Sequence, residues 1–173
     1  MKTLGLLRHA KSDWGQSDKR DFDRGLNGRG KRGAALMGAH VREQGVVWDR
    51  LIASPARRVQ LTLESAAIGP APEWDERLYL AATDAIYNVL HEASGDAVLI
   101  VGHNPGLGDM ILDLVAPSRE NALFDDAKIK FPTAAFAVLE LAIDDWADLR
   151  PECGALIHFK RPRDLDPELG PED

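Results

Sequence analysis

The feature that most constrains the fold is an apolar run, Leu4 to Leu7, that stops abruptly at Arg8 and His9. This pattern is typical of a buried strand whose last residues emerge at the edge of a sheet. An arginine fork binds tetrahedral oxyanions through paired hydrogen bonds, and an imidazole can attack phosphorus or transfer protons near neutral pH. The pair is therefore a candidate phosphoryl site, although a solvated strand end without a function would look the same.

A second unit of strand and helix begins at Arg50. Residues 50–53 predict a short strand, and Ser54 with Pro55 is a favoured N-cap and first residue for the helix that follows. Arg58 then falls near the first turn, where free amides and the helix dipole favour anions. Arg57 is rotated by about 100° around the helix, so only one of the two arginines is expected to face the same centre.

A third unit follows the same order. Ala97 to Gly102 is a continuous apolar run that leads directly into His103, and Asn104 with Pro105 can start the next helix. Ligands of parallel α/β sheets bind outside the carboxyl ends of the strands. Three strand ends would each bring a cation or an imidazole to that edge, which predicts one shared site.

Strands and helices alternate along most of the 173 residues, a length that suits one domain. We predict a single-domain α/β fold, a three-layer sandwich with a mostly parallel central sheet and helices on both faces. The domain is expected to cover residues 1–163, and residues 164–173 are expected to form a frayed, acidic, proline-rich tail. Further predictions are helices over 33–44 and 83–93, the latter capped by Thr83, an extended piece at 78–81, and strands over 134–141 and 155–160. Loops are predicted over 12–27, 69–75 and 117–133, the last a possible flap.

Composition restricts the function further. The formal net charge of −7 argues against binding of nucleic acid by the whole surface, so an anion site must be a small pocket of converging arginines. No apolar run approaches the ~20 residues of a membrane span. The first residues lack the features of a signal peptide, which predicts a cytoplasmic location. Cys153 is the single cysteine, so no intrachain disulfide or cysteine-based zinc site is expected.

Three motifs together resemble the histidine phosphatase (phosphoglycerate mutase-like) superfamily, and most of all its short SixA-type phosphohistidine phosphatases. The motifs are Leu-Leu-Arg-His-Ala at 6–10, Ser-Pro-Ala-Arg-Arg at 54–58 and Val-Gly-His-Asn-Pro-Gly at 101–106. The resemblance covers the chain from the first strand to about residue 160 and implies an activity without metal or other cofactor. It implies that His9 is the transiently phosphorylated nucleophile and that Arg8 and Arg58 hold phosphoryl oxygens. His103 and Asn104 would complete the substrate pocket.

One departure from the wider superfamily bears on the substrate. Larger members and the mutases resemble one another in carrying a Glu or Asp general acid after a leucine that follows the second helix, where this chain has Leu80. The conjugate acid of an alkoxide has a pKa of about 16 and that of imidazole roughly 6.5, so an acid matters most for ester substrates. The lack of a general acid at this position favours a substrate with an N–P bond, although Asp75, Glu76 or Asp84 could still supply a proton.

The favoured hypothesis is a metal-independent phosphatase that acts on phosphohistidine in a protein, such as a histidine-phosphotransfer domain or a phosphocarrier. One alternative is a phosphatase for small sugar or nucleotide phosphates, which a working acid within 75–84 would favour. Another is a phosphoprotein-binding module without turnover, for which arginines alone would suffice and His9 would not be needed. A zinc hydrolase using His9 and His103 lacks a third ligand at helical spacing.

Overall fold

A six-stranded mixed sheet forms the centre of the chain in the computed structural model, which describes residues 1–15 and 18–170. The strands are β1 (Lys2–Arg8), β2 (Arg50–Ala53), β3 (Pro72–Trp74), β4 (Ala97–Gly102), β5 (Phe136–Leu141) and β6 (Gly154–Lys160). Their order across the sheet is β3, β2, β4, β1, β5, β6. β5 runs antiparallel to both of its neighbours, and the other described pairs are parallel. The predicted class, a mostly parallel α/β fold, is confirmed.

Helices cover both faces of the sheet. They are α1 (Gly28–Glu43), α2 (Arg57–Ala66), α3 (Thr83–His91), α4 (Gly106–Leu114), α5 (Ala122–Ile129) and α6 (Pro162–Leu165). Leu4 and Leu6 of β1 pack with α3, α4 and α5 on one face, whereas Leu7 packs with α1 and α2 on the other. This alternation follows from the two-residue period of a strand. A Cβ at Gly38 of α1 would collide with the Ala66 carbonyl oxygen, so glycine allows α1 and α2 to approach closely.

The strand order brings three carboxyl ends together. β4 lies between β1 and β2, with Arg8 opposite Gly102 and Ala53 opposite Val101. Just beyond the strands, the His9 amide donates to the Gly102 carbonyl at 3.0 Å. The residues that follow these three strands are therefore neighbours at one edge of the sheet.

Two short segments after α2 differ from the predictions. Residues 72–74 lie in the predicted connection but form β3, an edge strand paired with β2, and Pro72 is tolerated there because it begins the strand. The predicted extended piece at 78–81 is wrong: Glu76–Leu78 is a 3₁₀ helix, and Leu80 has a left-handed φ of 49°. Thr83 begins α3 but does not cap it, since the N-cap position is Ala82.

The loop predicted over 117–133 is wrong for residues 122–129, which form α5. The Asn121 side chain accepts a hydrogen bond from the Phe124 amide at 2.9 Å and so caps the helix. Phe124 and Ala127 are the buried residues of this helix. Two apolar contacts three residues apart are too few to give a helical period in the sequence.

The frayed tail predicted at the end of the chain is wrong for residues 164–169. These residues continue α6 and form a 3₁₀ helix, Pro167–Leu169, in which Leu169 is buried. Arg29 donates to the Glu168 carbonyl at 2.6 Å, and Arg32 of α1 pairs with the Glu168 carboxylate at 3.1 Å. The acidic segment is ordered because it meets the basic first turns of α1. Residues 171–173 lie outside the described part, and the division of the chain at residue 163 stays a prediction.

No helix in residues 1–15 and 18–170 combines the length and the apolar character that crossing a membrane would require.

Candidate active site

One cavity of about 220 Å³ at the carboxyl edge of the sheet collects the side chains that three separate motifs predict. Arg8, His9, Arg58, His103 and Asn104 all line it. The ring centroids of His9 and His103 lie 5.3 Å apart. The structure thus brings the five predicted site residues together, and their chemical roles stay predictions.

Hydrogen bonding fixes the tautomer of His9. Its Nδ1 lies 2.8 Å from the Ala10 carbonyl oxygen, and because a carbonyl only accepts, Nδ1 carries the proton. The lone pair is therefore on Nε2. Burial lowers the pKa of His9 well below its usual value. The bond to Ala10 opposes this shift, and the positive charges of Arg8 and Arg58 add to it. His9 is therefore neutral at physiological pH, with an unprotonated Nε2.

A buried hydroxyl ties the loop after β1 to the first turn of α2. Thr62 is 1% exposed, and its Oγ1 accepts from the Ala10 amide at 2.9 Å. The same hydroxyl donates to the Arg58 carbonyl oxygen at 2.7 Å. Thr62 therefore fixes the backbone that orients the His9 ring relative to the turn that carries Arg58.

Arg58 is the more buried of the two arginines that begin α2. It is 2% exposed, and it donates to the Asp21 carbonyl oxygen at 2.8 Å and to the Asp21 carboxylate at 3.1 Å. Its Nε is buried and has no hydrogen-bond partner among the described residues. Arg57 is exposed and bonds to Gln60, as its predicted rotation around the helix requires.

His103 is neutral at physiological pH. Burial, followed by the positive charge of Arg58, lowers its pKa to about 3, and the Asp21 carboxylate acts in the opposite direction. Arg58 donates to Nδ1 at 3.3 Å, so Nε2 carries the proton and donates to the Ser54 hydroxyl at 2.7 Å. A hydroxyl can also donate, so Ser54 can support the other tautomer, in which Nδ1–H is available to an anion.

The prediction that Ser54 caps α2 is wrong. The helix begins at Arg57, its N-cap is Ala56, and no side chain caps it. Ser54 is fully buried and its hydroxyl bonds to His103. Pro55 and Ala56 separate Ser54 from the start of the helix, so the serine bonds to His103 behind the cavity wall and does not cap α2.

Sequence reasoning missed a second buried arginine in the cavity. Arg24 is 7% exposed and donates to the Asp21 carboxylate at 2.8 Å. The exposed ring of Trp14 covers it, with 3.5 Å from the guanidinium carbon to the ring centroid. The segment 12–27 reads as a solvated acidic loop, and the only signal in it was an arginine in a loop expected over the strand ends.

Asp21 organises this cluster of arginines. Its carboxylate accepts from Arg24, Arg58 and the Tyr79 hydroxyl. Burial acts to raise its pKa, but the hydrogen bonds from Arg24 and Tyr79 and the charge of Arg58 hold the pKa far below the usual range. Asp21 is therefore ionised and holds two guanidiniums in place, and it is not a proton donor.

None of the three candidate general acids lines the cavity. Asp75 instead pairs with Arg77 at 2.8 Å, and that hydrogen bond lowers the pKa of Asp75. Glu76 and Asp84 are exposed and lie elsewhere. Leu80 does line the cavity. It is the residue that stands where the larger enzymes are expected to carry their general acid.

Asn104 holds the loop that precedes β5. Its amide nitrogen donates to the Phe131 carbonyl oxygen at 2.7 Å, and its amide oxygen accepts from the Gly108 amide at 3.1 Å. Arg8 donates to the same Phe131 carbonyl at 3.2 Å. Asn104 therefore helps to position Arg8, besides lining the cavity.

The fold and the cavity define an α/β protein that gathers three buried or half-buried guanidiniums and two neutral imidazoles around one cavity, a set of groups suited to a tetrahedral oxyanion. Within the described residues, no group of three or more His, Cys, Asp or Glu side chains is placed to hold a metal ion.

Comparisons with known proteins agree with this class. Residues 4–81 match the profile of the histidine phosphatase superfamily (branch 1). An uncharacterized protein of Mycobacterium tuberculosis is 36% identical over 161 residues, which are 91% of this chain and all of that protein. The structure of a proposed phosphohistidine phosphatase SixA from Nakamurella multipartitia superposes with a TM-score of 0.82 at 29% identity, over 93% of this chain and 96% of that chain. The structure of a proposed phosphohistidine phosphatase SixA from Agrobacterium tumefaciens superposes with a TM-score of 0.76 at 27% identity. That match covers 93% of this chain and 98% of the other.

The chain belongs to the histidine phosphatase superfamily, and within it to the SixA type.

Proposed function

We propose that this chain is a phosphohistidine phosphatase that acts on phosphohistidine in a protein and passes the phosphoryl group through His9. The observation that carries the proposal is the chemistry of the cavity. Among the described residues, its only carboxylate is Asp21, which is ionised and bonded to two arginines. A substrate whose leaving group needs no carboxylic acid suits such a cavity.

Leaving-group chemistry distinguishes the two classes of substrate. An alkoxide, whose conjugate acid has a pKa of about 16, leaves slowly unless an acid protonates it. A phosphohistidine ring whose other nitrogen carries a proton leaves as neutral imidazole, whose conjugate acid has a pKa of roughly 6.5, and needs no acid from the enzyme. Leu80 lines the cavity at the position where larger enzymes are expected to carry a general acid, and its side chain has no proton to donate. The cavity therefore favours cleavage of an N–P bond over cleavage of a phosphate ester.

The reaction proceeds in two displacements. In the first, Nε2 of His9 forms a bond to phosphorus while the N–P bond of the substrate breaks. The electron pair of that bond stays on the substrate's ring nitrogen, and the ring leaves as neutral imidazole because its other nitrogen already carries a proton. Arg8, Arg24 and Arg58 neutralise the phosphoryl oxygens, and His103 donates from Nδ1 after its tautomer changes. In the second, water attacks phosphorus, the bond to His9 breaks, and inorganic phosphate and neutral His9 are formed.

The comparisons support the substrate class by analogy, since two structures with more than a quarter of their residues identical are described as proposed phosphohistidine phosphatases. We propose a histidine-phosphotransfer domain or a phosphocarrier as the physiological substrate, turnover without a metal or other cofactor, and a cytoplasmic location. The mechanism above requires only protein side chains and water.

The test is transfer of a labelled phosphoryl group from a phosphohistidine protein to the chain. His9→Ala should abolish the acid-labile label on the enzyme and leave the circular dichroism spectrum unchanged. His91→Ala is the matched control, since His91 bonds to the Leu149 carbonyl and lies outside the cavity. A label on His9→Ala would refute the assignment of the nucleophile.

A second measurement tests the substrate. We compare kcat/KM for the phosphohistidine protein with kcat/KM for a panel of sugar and nucleotide phosphates at matched concentrations. The proposal expects a strong preference for the N–P substrate. A preference for esters would show that the chain is a small-molecule phosphatase.

A further inference from the structure

Two apolar side chains lie at the entrance of an otherwise polar active-site cavity. Among the described residues that line this cavity, only Trp14 and Leu80 have large apolar side chains. They are also strongly exposed, at 72% and 54%, whereas His9, Arg58 and His103 are buried. The cavity therefore has a charged floor, which suits a phosphoryl group, and an apolar entrance formed by Trp14 and Leu80.

Trp14 offers one face of its indole ring to solvent. The guanidinium carbon of Arg24 lies 3.5 Å from the ring centroid and covers one face. Because Trp14 is nevertheless 72% exposed, the opposite face is open. Hydrogen bonds hold the flanking backbone: the Asp13 amide donates to the Gly25 carbonyl at 2.8 Å, and the Gly15 amide donates to the Asp13 carboxylate at 2.8 Å. The open face is therefore positioned for a second planar group to stack on it.

Leu80 reaches the entrance from a different segment and at a conformational cost. It follows the 3₁₀ helix Glu76–Leu78 and has a left-handed φ of 49°, which residues with a Cβ disfavour. The preceding residue, Tyr79, donates its hydroxyl proton to the Asp21 carboxylate, and its ring packs nearly perpendicular to that of His103, with centroids 5.5 Å apart. The backbone that carries Leu80 is thus tied to the cavity, and backbone strain of this kind is concentrated at functional sites.

The geometry of phosphoryl transfer determines what the apolar entrance meets. In an in-line displacement, the nucleophile and the leaving group lie on opposite sides of phosphorus. Since His9 is buried at the floor, the leaving group points towards solvent and passes the two exposed side chains. For phosphohistidine that group is an imidazole, a flat ring whose faces can stack on an aromatic side chain.

We propose that Trp14 and Leu80 bind the imidazole ring of the phosphohistidine, with the ring stacked on the open face of Trp14 and in contact with Leu80. The two residues thereby select substrates with a planar leaving group. The inference rests on the proposed function and adds to it the residues that distinguish phosphohistidine from other N–P compounds. The ring stays planar while its bond to phosphorus breaks, so both contacts exist in the ground state and the transition state and act mainly on KM.

The experiment compares two small N–P substrates that differ in the leaving group. N-Phosphoimidazole releases imidazole, and phosphoramidate releases ammonia. We measure kcat and KM for both with the full chain and take the ratio of kcat/KM for N-phosphoimidazole to kcat/KM for phosphoramidate. The intrinsic reactivity of each compound is the same for every variant, so a change in this ratio reports a contact with the ring. A phosphohistidine peptide extends the series to the proposed substrate.

Four variants alter the apolar entrance. Trp14→Ala and Leu80→Ala each remove one of its side chains, whereas Trp14→Phe and Leu80→Met keep an apolar side chain in place. Trp74→Ala and Leu112→Ala are the matched controls, because they remove the same types of side chain from exposed positions that do not line the cavity. Circular dichroism spectra and Tm values establish that each variant is folded.

We expect each alanine variant at the entrance to lower the ratio about two- to tenfold, the range that one aromatic or apolar contact implies. The decrease should come from a higher KM for N-phosphoimidazole, and the KM of the phosphohistidine peptide should rise by a similar factor. Trp14→Phe, Leu80→Met and both controls should keep a ratio close to that of the wild type.

A wild-type ratio in Trp14→Ala or Leu80→Ala would overturn the assignment of that residue. An equal rise in KM for both small substrates after Trp14→Ala would also overturn it, because Trp14 would then act only by holding Arg24. In these cases, hydrolysis of the N–P substrates by the wild type leaves the proposed function standing. If the wild type hydrolyses phosphate esters but none of the three N–P substrates, the proposed function itself fails, so the two failures are distinguishable.

Discussion

Thr62→Val tests whether the hydroxyl of Thr62 holds the His9 ring in place. Valine keeps the shape of threonine, but it removes the acceptor of the Ala10 amide, which belongs to a residue with no exposed surface. A buried amide without a partner costs about 1–3 kcal/mol. The Tm of a chain of this length falls by about 2–4 °C for each kcal/mol, so we expect a decrease of about 2–12 °C.

The same substitution should slow catalysis, because the Ala10 carbonyl orients the ring of His9. A small misplacement of a reacting atom can cost about ten- to a hundredfold in rate. Thr62→Ser is the control: it keeps the hydroxyl and loses one buried methyl group, worth about 1 kcal/mol. The assays are thermal unfolding followed by circular dichroism and the rate of phosphoenzyme formation. If the valine variant matches the serine variant in both, the hydroxyl does not position His9.

Three further predictions concern anion binding and pH. Arg58→Ala should weaken inhibition by orthovanadate at least tenfold because it removes a buried guanidinium, and Arg57→Ala should not; equal inhibition constants would remove Arg58 from the pocket. Phosphoenzyme formation should persist below pH 6.5, because burial lowers the pKa of His9 and keeps it neutral; a loss centred near pH 6.5 would contradict this reasoning. The rings of His40 and His158 stack with Nε2 atoms 2.8 Å apart, and burial lowers both pKa values. The unfolded chain therefore takes up protons that the folded chain does not as the pH falls below about 6.5, so the free energy of unfolding should decrease there. Urea titrations should show a smaller decrease in a variant with His158→Leu than in the wild type, and an equal decrease would exclude the pair as its source.

The strands that carry the site were predictable because each ends at a change from apolar to polar residues. β2 and β4 have the predicted bounds, Arg50–Ala53 and Ala97–Gly102. β3 was not predicted, since a three-residue edge strand depends on its partner β2 more than on its own composition. α5 was missed because its apolar contacts are too few to show a period.

Convergence of the motif residues was predictable from the rule that strand ends share an edge, whereas the arginine cluster around Asp21 was not. Arg24 reaches the cavity because its loop folds back on itself, with Ser12 bridged to Leu26 and the Asp13 amide donating to the Gly25 carbonyl. A loop of this kind leaves no periodic pattern in the sequence, so the position of Arg24 could not be predicted. The hydrogen bond between Ser54 and His103 could not be predicted either, because a serine before a proline is as common at helix ends as in turns.

The position of β4 in the middle of the sheet has a consequence for biogenesis. The cavity closes only when Thr3 pairs with Ala97 and the strands beyond them zip together, a contact between the beginning of the chain and its second half. Contacts so distant along the chain form slowly, and a nascent polypeptide that has not yet emerged past β4 lacks His103 and Asn104, which line the cavity. The cavity is therefore completed late in folding.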